Sequence, residues 1–277
     1  KLITKSLEWS LMNITIPYDE FRVWKLLIAP KLTNLNETAE EIIEYAVTEI
    51  LNNAQDHSDG NKVNISISQD KHDLSITIGD DGVGIFKHIM AHLHFEQALD
   101  AAIELSKGKL TTQPERHSGE GLFFTLQAVD RLTICANAHC LELTDSQATF
   151  NVAEEISGTK VTVQLRKTMN HSLEAVFNAF CHVNEDEIPI FDQTVFRLQL
   201  AQTEGHLISR SQAKRVMNGM ERFAIVEVDF TGVDNIGQGF ADEMFRVWQS
   251  FHKDTVIKAT YANEKVKKLI SRVTAHH

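Results

Sequence analysis

The sequence predicts an α/β protein in two domains: a layer of mostly antiparallel strands with helices on one face, then a small domain in which strand and helix alternate. Three observations carry this reading. Apolar residues recur at helical spacing from Ala39 to Leu51 and then give way to stretches that alternate apolar with polar residues. From Val195 onward, short β-favouring runs and helical stretches take turns. The 277 residues exceed one domain of about 150, and the polar run Asn184-Glu185-Asp186-Glu187 before Pro189 marks a boundary.

Each element has a local reason. Residues 7–16 are rich in apolar and β-favouring side chains and stop at Pro17, which predicts a strand. Ala39, Ile42, Ile43, Ala46, Val47, Ile50 and Leu51 form one helical stripe, with Thr33, Asn34 and Asn36 as candidate caps and Ser58-Asp59-Gly60 as the breaker. Strands follow over 62–69 and 73–78, separated by a polar turn. A helix is expected over Phe95 to Ser106, a mobile lid over Thr111 to Arg116, and a helix over Phe123 to Asp130. Strands over 131–136, 140–144, 148–152 and 158–165 complete the first layer. Residues 167–189 supply a helix and the polar boundary. The second domain reads as strand 195–200, helix 209–221, strand 225–230, loop 231–239, helix 240–251, strand 256–259 and helix 263–273.

Composition excludes several classes. The net charge of -11 argues against a general grip on nucleic acid, which depends on neutralising phosphates. No apolar run reaches the roughly 20 residues of a membrane span, and the first residues lack the apolar core of a signal peptide, so a cytoplasmic protein is expected. Cys135, Cys140 and Cys181 form no zinc-type or dithiol motif and read as reduced, mostly buried thiols. The start without methionine points to a piece of a longer protein or a processed one.

The chemistry begins with Glu49 and Asn53. Residues four apart share a helix face, so the acid and the amide point into one pocket. The strand ending at Ile78 runs into Gly79-Asp80-Asp81-Gly82-Val83-Gly84-Ile85, a strand exit with carboxylates and glycines that a ligand can approach closely. His117-Ser118-Gly119-Glu120-Gly121-Leu122 opens a helix, where free amides and the positive dipole end suit phosphate. Each motif alone also fits plain packing. Their order and their strand and helix contexts carry the functional reading. A Rossmann site is disfavoured, because Lys87 stands where a third glycine belongs. His88 and His92 are four apart, but no glutamate follows His88 and no third ligand is evident, so a packing role is expected there.

Together these motifs resemble the GHKL ATPase superfamily of topoisomerase ATPase domains, Hsp90, MutL proteins, and histidine and anti-sigma kinases. Glu49 with Asn53 matches the N box, Asp80-Asp81-Gly82-Val83-Gly84 the first glycine box, Gly119-Glu120-Gly121-Leu122 the second and Gly158-Thr159 the third. The resemblance implies a two-layer α/β sandwich binding ATP and Mg2+, over residues 1–167 with a core of about 30–165. Glu49 is then the general base for water or a hydroxyl acceptor, Asn53 the Mg2+ ligand and Asp80 the reader of the adenine amino group. Gly82, Gly84 and Ile85 contact the nucleotide, and Thr159 assists at the base. Gly119, Glu120, Gly121 and Leu122 face the phosphates, with His117 and Ser118 reaching them on closure.

The stretch from Val226 to Phe240 resembles the central strand, loop and helix of STAS domains, which implies a STAS-like domain over 190–277 after a linker over 168–189. In phosphorylatable STAS domains a serine precedes the glycine of this loop; here Gln238 stands there, and Thr231 and Ser250 lie elsewhere. No histidine precedes His57, so a phosphoacceptor helix before the N box is missing from the chain. The resulting expectation is an ATP-gated regulatory switch that signals through the STAS-like domain or a protein partner, a homodimer remaining open. An anti-sigma-type serine/threonine kinase and a non-hydrolysing ATP sensor are the alternatives.

Overall fold

The computed structural model describes residues 7–110, 119–184 and 186–275. The first domain is built on one antiparallel sheet and one long helix. Strands β1 (Leu7–Thr15), β2 (Lys62–Gln69), β3 (Asp73–Asp80), β4 (Arg131–Ala136), β5 (His139–Thr144), β6 (Ala148–Val152) and β7 (Thr159–Arg166) join in the order β1-β2-β3-β7-β4-β5-β6. Buried and accessible residues alternate along β2, β3, β4 and β7. A period of two sends alternate side chains to opposite faces, so one face is core and the other is polar. On the polar face the Thr77 and Thr162 hydroxyls meet at 2.9 Å.

After β1, a short helix α1 (Glu20–Val23) continues through a π-turn, Trp24–Ile28, and a 3-10 turn, Ala29–Lys31. The long helix α2 (Glu37–His57) then lies across the sheet. Asn36 caps it, its side chain accepting the Ala39 N–H at 2.9 Å. Its buried stripe is the predicted one, extended by one turn to Ala54. Helices α3 (Ile85–Leu93), α4 (Ala98–Lys107) and α5 (Gly121–Ala128) complete the helical layer around it, and α6 (Leu173–Phe180) packs on α5.

The second domain carries a parallel sheet, β10 (Gln193–Arg197), β11 (Ile225–Asp229) and β12 (Val256–Thr260), in that order. Its helices are α7 (Arg210–Met217), opened by a Ser209/Gln212 capping box, α8 (Gln238–Asp242) running through a π-turn into α9 (Gln249–Phe251), and α10 (Glu264–Thr274) capped by Asn263.

Several expectations are corrected. Residues 85–93 form a helix that the ligand-loop reading did not foresee; a left-handed His94 ends it, and the helix expected from Phe95 starts at Ala98. On either side of the polar run before Pro189, β8 (Cys181–Val183) and β9 (Pro189–Phe191) pair antiparallel, and the Asn184 side chain accepts the Asp186 and Ile188 N–H groups. The strand expected over 195–200 is Gln193–Arg197, followed by a 3-10 turn. Cys135 and Cys140 are joined in a disulfide and are not reduced thiols. The two-residue turn at Asn137 and Ala138, both with positive φ, sets these cysteines directly opposite each other, with Cα atoms 4.1 Å apart. Cys181 is free, half-buried, and its thiol is pushed up by that burial. The expected lid over Thr111 to Arg116 lies outside the described residues.

Candidate nucleotide site

Helix α2 builds one wall of the site. Glu49, Asn53 and His57 follow at four-residue steps, so they share the face turned toward α5 and the end of β3. These three, Asp80, Ile85, Thr159 and the segment Gly119-Glu120-Gly121-Leu122 line one cavity of about 400 Å³. Gly82 and Gly84 do not line it, and His117 and Ser118 lie outside the described residues.

Asp80 is the last residue of β3 and lines the cavity. Its Oδ1 accepts the Gly82 N–H at 2.9 Å and the Thr159 N–H at 3.1 Å, and Thr159 Oγ1 in turn accepts the Ile85 N–H at 2.9 Å. Burial pushes the Asp80 carboxyl above the usual carboxylate range, against the pull of the two backbone donors, and the neighbouring Asp81 charge adds to the rise. Asp81 turns outward, where its Oδ1 accepts the Asn61 and Lys62 N–H groups, and these donors hold its carboxyl low.

The glycines also let parts of the protein approach one another closely. A side chain on Gly121 would run into the Glu49 carboxylate, on Gly84 into the Asn137 carboxamide, and on Gly82 into the backbone of Ser58. The close approach they permit is therefore between parts of the protein itself. Gly121 is also the first residue of α5, an eight-residue helix whose opening amides have no intrahelical acceptor.

Among the lining residues that the sequence reading did not assign to the site are Tyr45, His57, His88 and Phe177. His57 was within reach, because the spacing that pairs Glu49 with Asn53 extends to it. His88 faces the cavity from α3, its ring centroid 6.2 Å from that of His57. Phe177 comes from α6, far along the chain, and packs edge-on against Tyr45 at 5.6 Å. Burial raises the Tyr45 hydroxyl, and the Glu49 and Glu120 charges raise it further.

The second domain sits directly on α4. Lys107, buried, donates to Glu104 at 2.9 Å and to the Asn218 carbonyl at 2.7 Å, while Arg222 reaches the other Glu104 oxygen at 2.5 Å and Arg215 pairs with Asp100. Phe191 fills the space between Phe123 and Phe124 on one side and Phe223 on the other, with centroid distances of 4.8, 5.0 and 5.5 Å. Gln238 is exposed at the start of α8.

An antiparallel sheet under a long helix, with an acid and an amide on that helix and a carboxylate at a strand exit around one cavity, is the arrangement that the resemblance to GHKL ATPase domains implies. Residues 38–169 match the model of the histidine kinase-, DNA gyrase B- and HSP90-like ATPase family, and residues 212–267 that of a STAS-like domain of unknown function, DUF4325. The chain therefore carries a GHKL-type ATPase domain, which implies ATP binding, followed by a small STAS-like domain. Among curated proteins, none matches the chain. Among the described residues, no helix is long and apolar enough to cross a membrane.

Proposed function

We propose that the chain binds Mg-ATP in the cavity between α2, β3 and α5, and that hydrolysis there works a regulatory switch read out through the STAS-like domain or a protein partner. The observation that carries this reading is the convergence of Glu49, Asn53, Asp80 and the start of α5 on one cavity. Asp80 offers its second oxygen to the adenine amino group; guanine would present a carbonyl there, acceptor to acceptor. Thr159 and Ile85 frame the base beside it. The α5 opening, Gly119 to Leu122, receives the phosphates on its free amides.

The donor set fits magnesium. Mg2+ takes oxygen ligands and keeps several waters, so the Asn53 carboxamide oxygen beside the phosphates is a fitting partner. When bound, the ion neutralises phosphate charge. Glu49 accepts the proton of the attacking water. The STAS-like domain is the output because it grips α4, which ends next to the cavity-lining Leu110. Gln238 in place of a serine speaks against self-phosphorylation of that domain.

Incubation with γ-labelled Mg-ATP tests the reading. Free phosphate that disappears in Glu49→Ala supports the switch. Label on a separate protein supports an anti-sigma-type kinase, and binding without turnover supports a sensor. Intact ATP affinity in Asp80→Asn would overturn the site itself.

A further inference from the structure

We propose that Asn137 is a positioning residue for this site, holding the first glycine loop in place from the neighbouring β4–β5 hairpin; the proposal rests on the ATP reading above. Asn137 lies at the hairpin turn with φ 52°, and only 8% of it is exposed. Its Nδ2 donates to the Val83 carbonyl at 3.0 Å, and its Oδ1 accepts the Lys87 N–H at 3.0 Å.

Lys87 is the third residue of α3, the position whose amide a capping side chain ordinarily satisfies. The N-cap of α3 is Gly84, which has no side chain to do this. Asn137 supplies the missing acceptor from another part of the chain. Its carboxamide fills the space beside Gly84, where a Cβ would come within 2.5 Å of both its oxygen and its nitrogen.

The support behind Asn137 is braced. Its carbonyl meets His139 Nδ1 at 2.7 Å, the His139 ring stacks on Phe150 at 5.0 Å, and the Cys135–Cys140 disulfide closes the hairpin one pair further in. What it holds leads straight to the base end of the cavity. Val83 and Lys87 bracket Ile85, whose N–H goes to Thr159 Oγ1, and the Thr159 N–H goes to Asp80. The catalytic candidates Glu49 and Asn53 stand on α2, which the loop touches at the C-cap, where the Ser58 carbonyl accepts the Val83 N–H at 2.9 Å. Loss of Asn137 therefore loosens base binding and leaves the phosphate chemistry as it was.

The test uses Asn137→Gly, which keeps the positive φ without strain and removes the carboxamide, and Asn137→Asp, which keeps the acceptor for Lys87 and loses the donor to Val83. We expect the Kd for ATP to rise about tenfold in Asn137→Gly, as loss of a buried hydrogen-bonding cap implies, and at least as much in Asn137→Asp, where a carboxylate oxygen would face the Val83 carbonyl. The Kd for ADP should rise by the same factor, kcat for phosphate release should stay within about twofold, and the Lys87 amide should exchange faster without nucleotide. Wild-type ATP affinity in Asn137→Gly, or a loss confined to kcat, overturns the proposal. Wild-type protein that binds no ATP, or Asp80→Asn that binds it normally, overturns the site reading instead. Should Asn137→Gly lose its circular-dichroism signature of folding, Asn137→Asp decides, and an unchanged Kd there overturns the proposal.

Discussion

The Glu49 carboxylate occupies the space that a side chain on Gly121 would need: a Cβ at residue 121 would fall 1.7 Å from Glu49 Oε2. The acid of α2 and the first residue of α5 are thus in contact, and a side chain at residue 121 has no room beside Glu49. Gly121→Ala should displace Glu49 without harming the helix, since alanine is the better helix former. We expect phosphate release to fall by about 100-fold, as an ångström-scale misplacement of a reacting group does, with the thermal midpoint nearly unchanged. Steady-state kinetics beside a melting curve check this.

On the proposed reading, Asp80 should make ATP binding pH-dependent. Because burial raises its carboxyl in the free protein, protonation sets in at a higher pH than for an exposed aspartate. The protonated form meets the adenine amino group donor to donor, so affinity should fall as pH drops through the Asp80 pKa, and bound ATP should draw that pKa down. Asp80→Asn should lose about 1.5–3 kcal/mol of binding at neutral pH, and this dependence with it. Calorimetric titration with ATP from neutral to acid pH, on both proteins, measures it.

The junction between the domains depends on Glu104. Burial alone would raise its carboxyl, but Lys107 and Arg222 outweigh burial and hold it low. Its contribution to stability is therefore present at neutral pH and lost as pH falls through its depressed pKa, below the usual carboxylate range. Glu104→Gln leaves buried Lys107 and half-buried Arg222 without their carboxylate, and should cost about 3–5 kcal/mol of unfolding free energy. Urea denaturation at neutral pH reads the loss, which should shrink toward acid pH.

The Cys135–Cys140 bond closes a short loop, so its stabilisation is at the small end for a disulfide, about 2 kcal/mol. Adding a dithiol reductant should lower the thermal midpoint by about 5 °C. A Cys135→Ser/Cys140→Ser variant should start at the lower midpoint and not respond to the reductant.

The stripe from Ala39 to Leu51, the alternation in β2 and β3 and the shared face of Glu49 and Asn53 were legible in the sequence because they depend on periods of 3.6 and 2 within one element. The cap at Asn36 was equally local. The helix over 85–93 was obscured because its opening overlaps a motif read as a loop, and its cap comes from Asn137 on a hairpin beyond two other helices. The sequence alone determined the long helix, the alternating strands that follow it and the shared helix face of Glu49 and Asn53. Only the tertiary structure decided what those glycines stand against, that His88 and Phe177 share the cavity with His57, that Cys135 meets Cys140, and that the second domain is seated on α4 through Glu104. These are contacts between elements distant in the chain, and no local period records a partner that arrives from another strand or helix.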